Sequence, residues 1–115
     1  MNGTFWRKWS DGISEAWFHH YYGADDIYFH DGVNGLVLTV NFITPTEFSP
    51  MKNHLFLGEG LCFTKNDPYY PIYLAKPDIF YNSNITSWDT SWYIPVSNEE
   101  VGSFELRGHI IGYWE

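Results

Sequence analysis

The side chains that could carry out chemistry in this sequence form no recognised catalytic pattern. Glycoside hydrolysis needs two carboxylates roughly 5–10 Å apart across a cleft. The acidic residues considered for such a pair are Glu15, Glu47, Glu59 and Asp78. Nothing in the sequence places any two of them in one cleft, and the Gly-x-Ser-x-Gly turn of many serine hydrolases is absent. The sequence therefore predicts a protein that is not an enzyme.

Metal ligands and reactive thiols are equally sparse. His19 and His20 are adjacent, and adjacent residues of a strand point to opposite faces, so they cannot bind one ion together. Asp25 and Asp26 lack the periodic oxygen ligands of a calcium-binding loop. The single cysteine, Cys62, lies between large apolar residues, which predicts a buried thiol. We expect neither a metal ion nor a cofactor.

The aromatic content is high for a chain of 115 residues. Six tryptophans, nine tyrosines and nine phenylalanines make up 21% of the sequence. A chain of this length forms one domain with a substantial core, but its interior is too small to cover all of these rings. Since aromatic side chains are enriched at interfaces, we expect some of them to contact a partner subunit, a glycan or both.

The net charge of −8 at pH 7 excludes several classes of partner. Nucleic acid requires a positive surface, and so does attachment to anionic lipid. Anionic polymers are disfavoured for the same reason unless a cation bridges the contact. The longest apolar runs are far shorter than the ~20 residues of a membrane span, so we expect no membrane insertion.

Alternating residues and turn signals predict strands along the whole chain and no helix. The clearest strand spans residues 35–43, where Thr39 and Asn41 share one face and Val40 and Phe42 share the other. Turn signals recur about every 8–12 residues, which is typical of a sandwich or barrel. We predict an all-β fold, a small antiparallel β-sandwich or barrel-like domain.

The single domain divides into three parts along the sequence. We expect a hairpin over residues 4–22, central strands and loops over 27–94, and a C-terminal strand over 103–114. Within the central part, residues 55–57 and 60–64 are predicted as two separate short strands.

The most specific pattern is a hairpin over residues 5–17, with the sequence Phe-Trp-Arg-Lys-Trp-Ser-Asp-Gly-Ile-Ser-Glu-Ala-Trp. Aromatic runs flank Asp11-Gly12, and Asp-Gly is a strong signal for a tight hairpin turn with positive φ angles. Trp9 before the turn and Trp17 after it would stand on paired strands. The pattern predicts a primed turn centred on Asp11-Gly12.

This order of residues resembles a signature near the C-termini of tail-fibre and baseplate receptor-binding proteins of tailed phages and prophages. The signature reads aromatic–Arg-Lys–aromatic–Ser-Asp/Asn-Gly–x–x–Glu–x–Trp. The chain also ends as those domains tend to, with an apolar strand running into Gly112-Tyr113-Trp114. Segments 44–50 and 76–79 are loosely similar to the family, but the long middle of the chain, which is rich in Tyr, Asn and Asp, does not follow its pattern.

The resemblance implies a small β domain, usually a homotrimer, on the exterior of the virion. Such a domain would be made in the cytoplasm of the host bacterium, would contact other virion proteins and would often bind a host-surface polysaccharide. In a symmetric trimer the same ring from each protomer meets at a shared axis. The tryptophans predicted at this interface are Trp6, Trp9, Trp17 and Trp114.

Two segments combine the residue types that bind glycans. Sugar rings stack their apolar faces on aromatic rings, while Asp and Asn bind the hydroxyls. The first candidate set is Asp67, Tyr69 and Tyr70, in a predicted loop held by a proline. The second is Asn82, Asn84, Trp88, Asp89 and Trp92.

Two further functions remain open at this point. The chain is alternatively a purely structural trimeric cap, a capsid decoration or a head-fibre protein, with its aromatic residues used for trimerisation. A third interpretation is a monomeric carbohydrate-binding module or a small glycan-active enzyme. The mass in solution separates the monomeric class from the other two.

Overall fold

The computed structural model describes residues 3–33, 35–48, 52–74, 77–82 and 86–114, and most of them lie in nine strands. The strands are β1 (Gly3–Lys8), β2 (Ile13–Gly23), β3 (Tyr28–Gly32), β4 (Gly35–Ile43), β5 (Lys52–Thr64), β6 (Asp67–Leu74), β7 (Asp78–Tyr81), β8 (Ser87–Tyr93) and β9 (Val101–Tyr113). Single 3₁₀ turns occupy Ala24–Asp26, Thr46–Phe48 and Asn98–Glu100. In these ranges there is no helix of the length and apolar character needed to cross a membrane.

The strands form two antiparallel sheets that share no strand. The five-stranded sheet has the order β1-β2-β9-β5-β6, and the four-stranded sheet has the order β3-β4-β8-β7. The prediction of an all-β fold is therefore confirmed, with the two sheets packed as a sandwich around a common core. The molecule measures 48 × 30 × 20 Å, so it has two broad outer faces.

Strand β5 differs from the sequence-based expectation of two short strands. It runs as one strand from Lys52 to Thr64 because it pairs with the central strand β9, in a register that is regular from Leu55 to Phe63 and shifts at each end. Gly58 lies directly opposite Gly108 in this pairing. A Cβ added at Gly58 would stand 2.6 Å from the Phe56 ring, and one at Gly108 would stand 2.9 Å from the Phe18 ring. The glycines thus leave room for two core rings and do not interrupt the strand.

The core lies between the sheets and is built mainly from aromatic rings. Phe18 of β2 stacks on Phe42 of β4 with ring centroids 4.6 Å apart, and Trp92 of β8 contacts Phe104 of β9 at 5.7 Å. The hydroxyl of Tyr22 donates a hydrogen bond of 2.7 Å to the backbone oxygen of Asn41 on the opposite sheet. Burial raises the pKa of Tyr22, so this donor stays protonated.

The two core tryptophans of β8 are held through their indole nitrogens. Nε1 of Trp88 donates to Oγ1 of Thr44 at 3.1 Å, and Nε1 of Trp92 donates to Oγ1 of Thr90 at 2.9 Å. A buried indole needs such a partner because an unpaired N–H in an apolar interior is costly. Both rings are almost fully buried, with exposed fractions of 0% and 1%.

His20 gives the fold a pH dependence that can be measured. Its ring lies on the core side of β2 against Phe42, and its Nε2 is 3.0 Å from the Thr4 hydroxyl. Burial, followed by the nearby His19, lowers the pKa of His20. The unfolded chain therefore binds this proton at a higher pH than the folded chain does, and the contribution of His20 to stability is lost as the pH falls.

We expect the melting temperature to fall between pH about 7.5 and about 5, on either side of the ordinary histidine pKa of about 6.5. A His20→Gln variant keeps a polar group facing Thr4 but does not titrate. Its melting temperature should fall less over the same range, measured by circular dichroism. Parallel curves for the two proteins would show that His20 makes no such contribution.

Candidate functional site

The largest candidate surface is the side of the five-stranded sheet that faces away from the core, called here the five-strand face. The strand register places its side chains in rows that run across the sheet. One row contains Phe5, Trp17, His109 and Leu57. The next row contains His19, Arg107 and Glu59. An apolar and aromatic row therefore lies beside a charged row.

The centre of the five-strand face is a shallow depression of about 600 Å³. Trp17 stacks on His109 along its rim, with ring centroids 5.1 Å apart and planes inclined by 10°. On its other side Trp17 contacts Phe5 at 5.8 Å. The indole therefore has a neighbouring ring on each of its two sides.

Each of the three glutamates on this face is paired with a base on the adjacent strand. His109 Nε2 lies 2.9 Å from Glu15, and Nε of Arg107 lies 2.5 Å from Glu59. The third pair is His19 with Glu105. The exposed pair of Arg107 with Glu59 contributes only ~0–1 kcal/mol, so the main consequence of the three contacts is that they fix the positions of these side chains on the sheet.

Large apolar side chains remain exposed around these pairs. Phe5 is 66% exposed and Leu57 is 51% exposed. Other half-exposed members of the same face are Leu55, Tyr73 and Tyr113. The five-strand face therefore exposes several large apolar side chains close together.

The hairpin turn is joined directly to the C-terminal segment. The backbone N–H of Trp114 donates to the Gly12 oxygen at 3.0 Å, and its indole Nε1 donates to the Trp9 oxygen at 3.0 Å. The two segments that carry the family resemblance, separated by most of the chain, therefore form one unit across β1, β2 and β9.

The turn itself differs from the primed turn predicted at Asp11-Gly12. The N–H of Gly12 bonds to the Trp9 oxygen at 3.2 Å, so Ser10 and Asp11 are the central residues of the turn. Trp9 N–H also bonds to the Ile13 oxygen at 2.7 Å, which closes a three-residue loop. Gly12 follows the turn and has a φ of 92°. Three-residue hairpin loops commonly have a glycine with positive φ at this position.

The four tryptophans predicted at one trimer axis lie in three different environments. Trp17 is on the five-strand face, while Trp9 and Trp114 are together at the hairpin turn. Trp6 faces the other side of β1 and packs against the buried ring of Phe48. The prediction of a shared stack is therefore wrong for Trp6, because strand alternation turns it toward the core.

Arg7 and Glu15 are opposite each other in the pairing of β1 with β2, but their side chains have different partners. The guanidinium of Arg7 lies 3.7 Å from the centre of the Trp9 ring, which is a cation–π contact. Glu15 instead accepts a hydrogen bond of 2.8 Å from Nε1 of Trp9. Lys8, on the opposite side of the strand, lies 5.3 Å from the Trp114 ring.

The residues predicted to bind glycan are also divided among several environments. Trp88 and Trp92 are buried in the core, so their assignment as ligand-stacking rings is wrong. Asp89, between them, points outward from the four-stranded sheet and is exposed. Asn82 is exposed, and its side-chain oxygen accepts from the N–H groups of Thr86 and Ser87. Asn84 lies outside the described residues.

Asp67, Tyr69 and Tyr70 are exposed, but they lie on a strand where the sequence predicted a loop. They belong to β6, the edge of the five-stranded sheet, and Tyr69 and Tyr70 are 85% and 75% exposed. An edge strand tolerates the prolines of this segment, because the missing N–H faces solvent.

A second surface, the outward side of the four-stranded sheet, was not predicted as a site. This four-strand face has small polar residues at its centre, and they are Thr39, Asn41, Ser87, Asp89 and Ser91. Exposed rings surround them, and these are Tyr28, Phe80 and Tyr93. The alternation of Thr39 and Asn41 along β4 was visible in the sequence, but their partners on β8 lie about fifty residues away.

The described part of the chain contains no group of three or more His, Cys, Asp or Glu side chains that could hold a metal ion. Cys62 is buried, and burial raises the pKa of its thiol. A thiol with a raised pKa is a poor nucleophile at neutral pH.

Comparisons with known proteins give no match. No protein-family model matches the chain, and neither a curated protein nor a solved structure does so.

Proposed function

We propose that this chain is a structural protein of a tailed phage, a tail-fibre or baseplate tip domain that assembles as a homotrimer and contacts a host-surface glycan. One observation carries the proposal. The hairpin that resembles the phage signature and the Gly-aromatic-Trp end of the chain are hydrogen-bonded to each other at Trp9, Gly12 and Trp114. The hairpin near the start of the chain and the Gly-aromatic-Trp segment at its end both resemble the phage proteins. This joint resemblance is explained if the two segments act as one structural unit.

The five-strand face supports assembly with further copies of the same chain. Its five strands together cover an area of at most about 20 by 35 Å, estimated from strand spacing and rise. This is comparable with the ~800 Å² that each partner contributes to a standard interface. On this face the Glu59 carboxylate lies beside the Arg107 guanidinium, so this carboxylate adds little to the repulsion between copies.

A charge placed in this apolar row tests the proposed interface. Leu57→Arg should convert the trimer to a monomer, because three arginines would be buried near one another without partners. The exposed position of Leu57 means that the fold of the protomer itself should not change. Sedimentation velocity at matched concentrations measures the change in mass.

Val33→Arg is the matched control, since it makes the same change of charge at an exposed residue between β3 and β4. We expect this variant to remain a trimer. If Leu57→Arg sediments as a trimer as well, the five-strand face is not the interface.

A second candidate function is favoured by the four-strand face. Its central polar residues and bordering rings resemble the surface that a carbohydrate-binding module needs, and such a module can act as a monomer. Under this alternative the five-strand face stays free in solution. A monomeric wild-type protein that binds a saccharide would support the module in place of the phage domain.

A further inference from the structure

We propose that the four-strand face is a binding site for a short neutral saccharide, with the Tyr93 ring as its stacking platform. This inference specifies where the glycan contact of the proposed function lies, and it therefore rests on that part of the function. It does not depend on the trimer.

The position of Tyr93 is the first argument. Its ring lies against Gly32 and Val37 on the outward side of the sheet. The closeness of these residues is seen from a Cβ added at Gly32, which would stand 3.1 Å from Cε1 of Tyr93 and 2.6 Å from Cγ2 of Val37. Val37 is buried beneath this contact, whereas Tyr93 is 45% exposed. A ring supported by the sheet on one side and open to solvent on the other suits the apolar face of a sugar.

The polar residues in the rows that follow Tyr93 along this face are held in place before any ligand binds: Thr39 and Ser91 form the next row, and Asn41 and Asp89 the one after it. The two N–H groups of the Asn41 side-chain amide are shared among three acceptors: Oγ of Ser87 at 2.9 Å, the backbone oxygen of Trp88 at 3.0 Å and Oδ1 of Asp89 at 2.8 Å. The hydroxyls of Thr39 and Ser91 are 2.8 Å apart.

These contacts leave hydrogen-bonding capacity for sugar hydroxyls. A carboxylate has about four acceptor sites, and each hydroxyl has one donor and two acceptor sites. The exposed Asp89 uses one oxygen on Asn41 and presents further acceptor sites to solvent. Because the side chains are already ordered, binding loses less conformational entropy than it would on a flexible loop.

The dimensions and charge of the face define the class of saccharide. Four strands span about 14 Å from β3 to β7, which accommodates a short oligosaccharide between Tyr28 on one edge and Phe80 on the other. Asp78 and Asp89 both lie on this face. With a net charge of −8, the protein should repel sialylated or sulphated sugars and accept neutral ones.

The test uses the full chain on an array of neutral hexose and N-acetylhexosamine trisaccharides, with sialylated and sulphated trisaccharides as the anionic set. The neutral trisaccharide that binds most tightly is then titrated by calorimetry against variants. Tyr93→Ala should weaken binding at least tenfold. Tyr70→Ala, at an exposed tyrosine of β6, is the matched control and should bind as the wild type does.

A second variant keeps the test decisive if Tyr93→Ala does not fold. Asp89→Ala changes an exposed side chain and should also weaken binding at least tenfold. Wild-type affinity in both folded variants overturns the site, and loss of binding in Tyr70→Ala alone moves the contact to β6 while leaving the glycan-binding function intact. Preference for the anionic set overturns the proposed ligand class.

Absence of binding to every neutral trisaccharide at millimolar concentration overturns this inference together with the glycan part of the function. The phage structural role and the trimer are then judged separately by the mass of the protein.

Discussion

Trp88→Ala should lower the free energy of unfolding by about 3–5 kcal/mol, the range for removing a large aromatic side chain from a core. The Trp88 ring is fully buried and stacks on Phe42 with centroids 6.0 Å apart and planes inclined by 5°. The variant also loses the hydrogen bond from the indole to Thr44. Urea unfolding followed by circular dichroism measures the change through the midpoint of the transition.

Trp9→Ala is the comparison for this experiment because it removes the same side chain from an exposed position. Its contacts are the cation–π contact with Arg7 and the hydrogen bond to Glu15, which together contribute about 1 kcal/mol at an exposed site. Equal losses for Trp88→Ala and Trp9→Ala, compared in the monomeric Leu57→Arg background, would contradict the assignment of Trp88 to the core.

Gly108→Ala is expected to have the second large effect on stability. The new Cβ would stand 2.3 Å from the backbone oxygen of Leu57 and 2.7 Å from Cα of Gly58. Neither is the end of a flexible side chain, so β5 and β9 would have to separate at the centre of the five-stranded sheet. We expect a loss of about 3 kcal/mol or more, at the upper end of the range for overpacking.

Gly102→Ala provides the control on the same strand. Its new Cβ would have Cγ of Lys65 and the backbone oxygen of Phe63 as its nearest neighbours, both at 3.5 Å, which is an ordinary contact distance. Thermal unfolding should therefore show a much lower melting temperature for Gly108→Ala and little change for Gly102→Ala. The same melting temperature in both variants would mean that the close approach of β5 and β9 is wrong.

The fold class could be predicted from the sequence because its signals are local. Turn residues and two-residue alternation occur within a few positions of each other, as in the strand at residues 35–43. The hairpin was visible for the same reason. The type of its turn could not be predicted, because two different turns fit the sequence Ser10-Asp11-Gly12. One is a primed turn with Asp11 and Gly12 at its centre, and the other, which the structure has, is a turn centred on Ser10 and Asp11 and followed by Gly12.

The error at Trp88 and Trp92 arose from composition. Asn, Asp, Ser and aromatic residues in one segment indicated an exposed loop, yet alternate positions within it pointed to a strand. Trp88, Thr90 and Trp92 occupy every second position and are all buried, while Asp89 between them is exposed. The two-residue periodicity of this segment correctly indicates a strand with a buried face, whereas its composition alone led to the wrong assignment of Trp88 and Trp92 as exposed ligand-binding rings.

The two outer faces could not be predicted because they depend on pairing between distant segments. The row that joins Trp17 to His109 requires the register of β2 with β9, and the contact of Asn41 with Asp89 requires that of β4 with β8. A shift of one residue in either pairing would turn every side chain to the other side of its sheet. Such long-range register leaves no local trace in a single sequence.

The mass of the wild-type protein in solution tests the central claim most directly. Light scattering on a sizing column at neutral pH and moderate salt should give about 40 kDa, which corresponds to three chains of 13.5 kDa. A single species of 13.5 kDa would contradict the homotrimer and leave the five-strand face without a partner of its own kind.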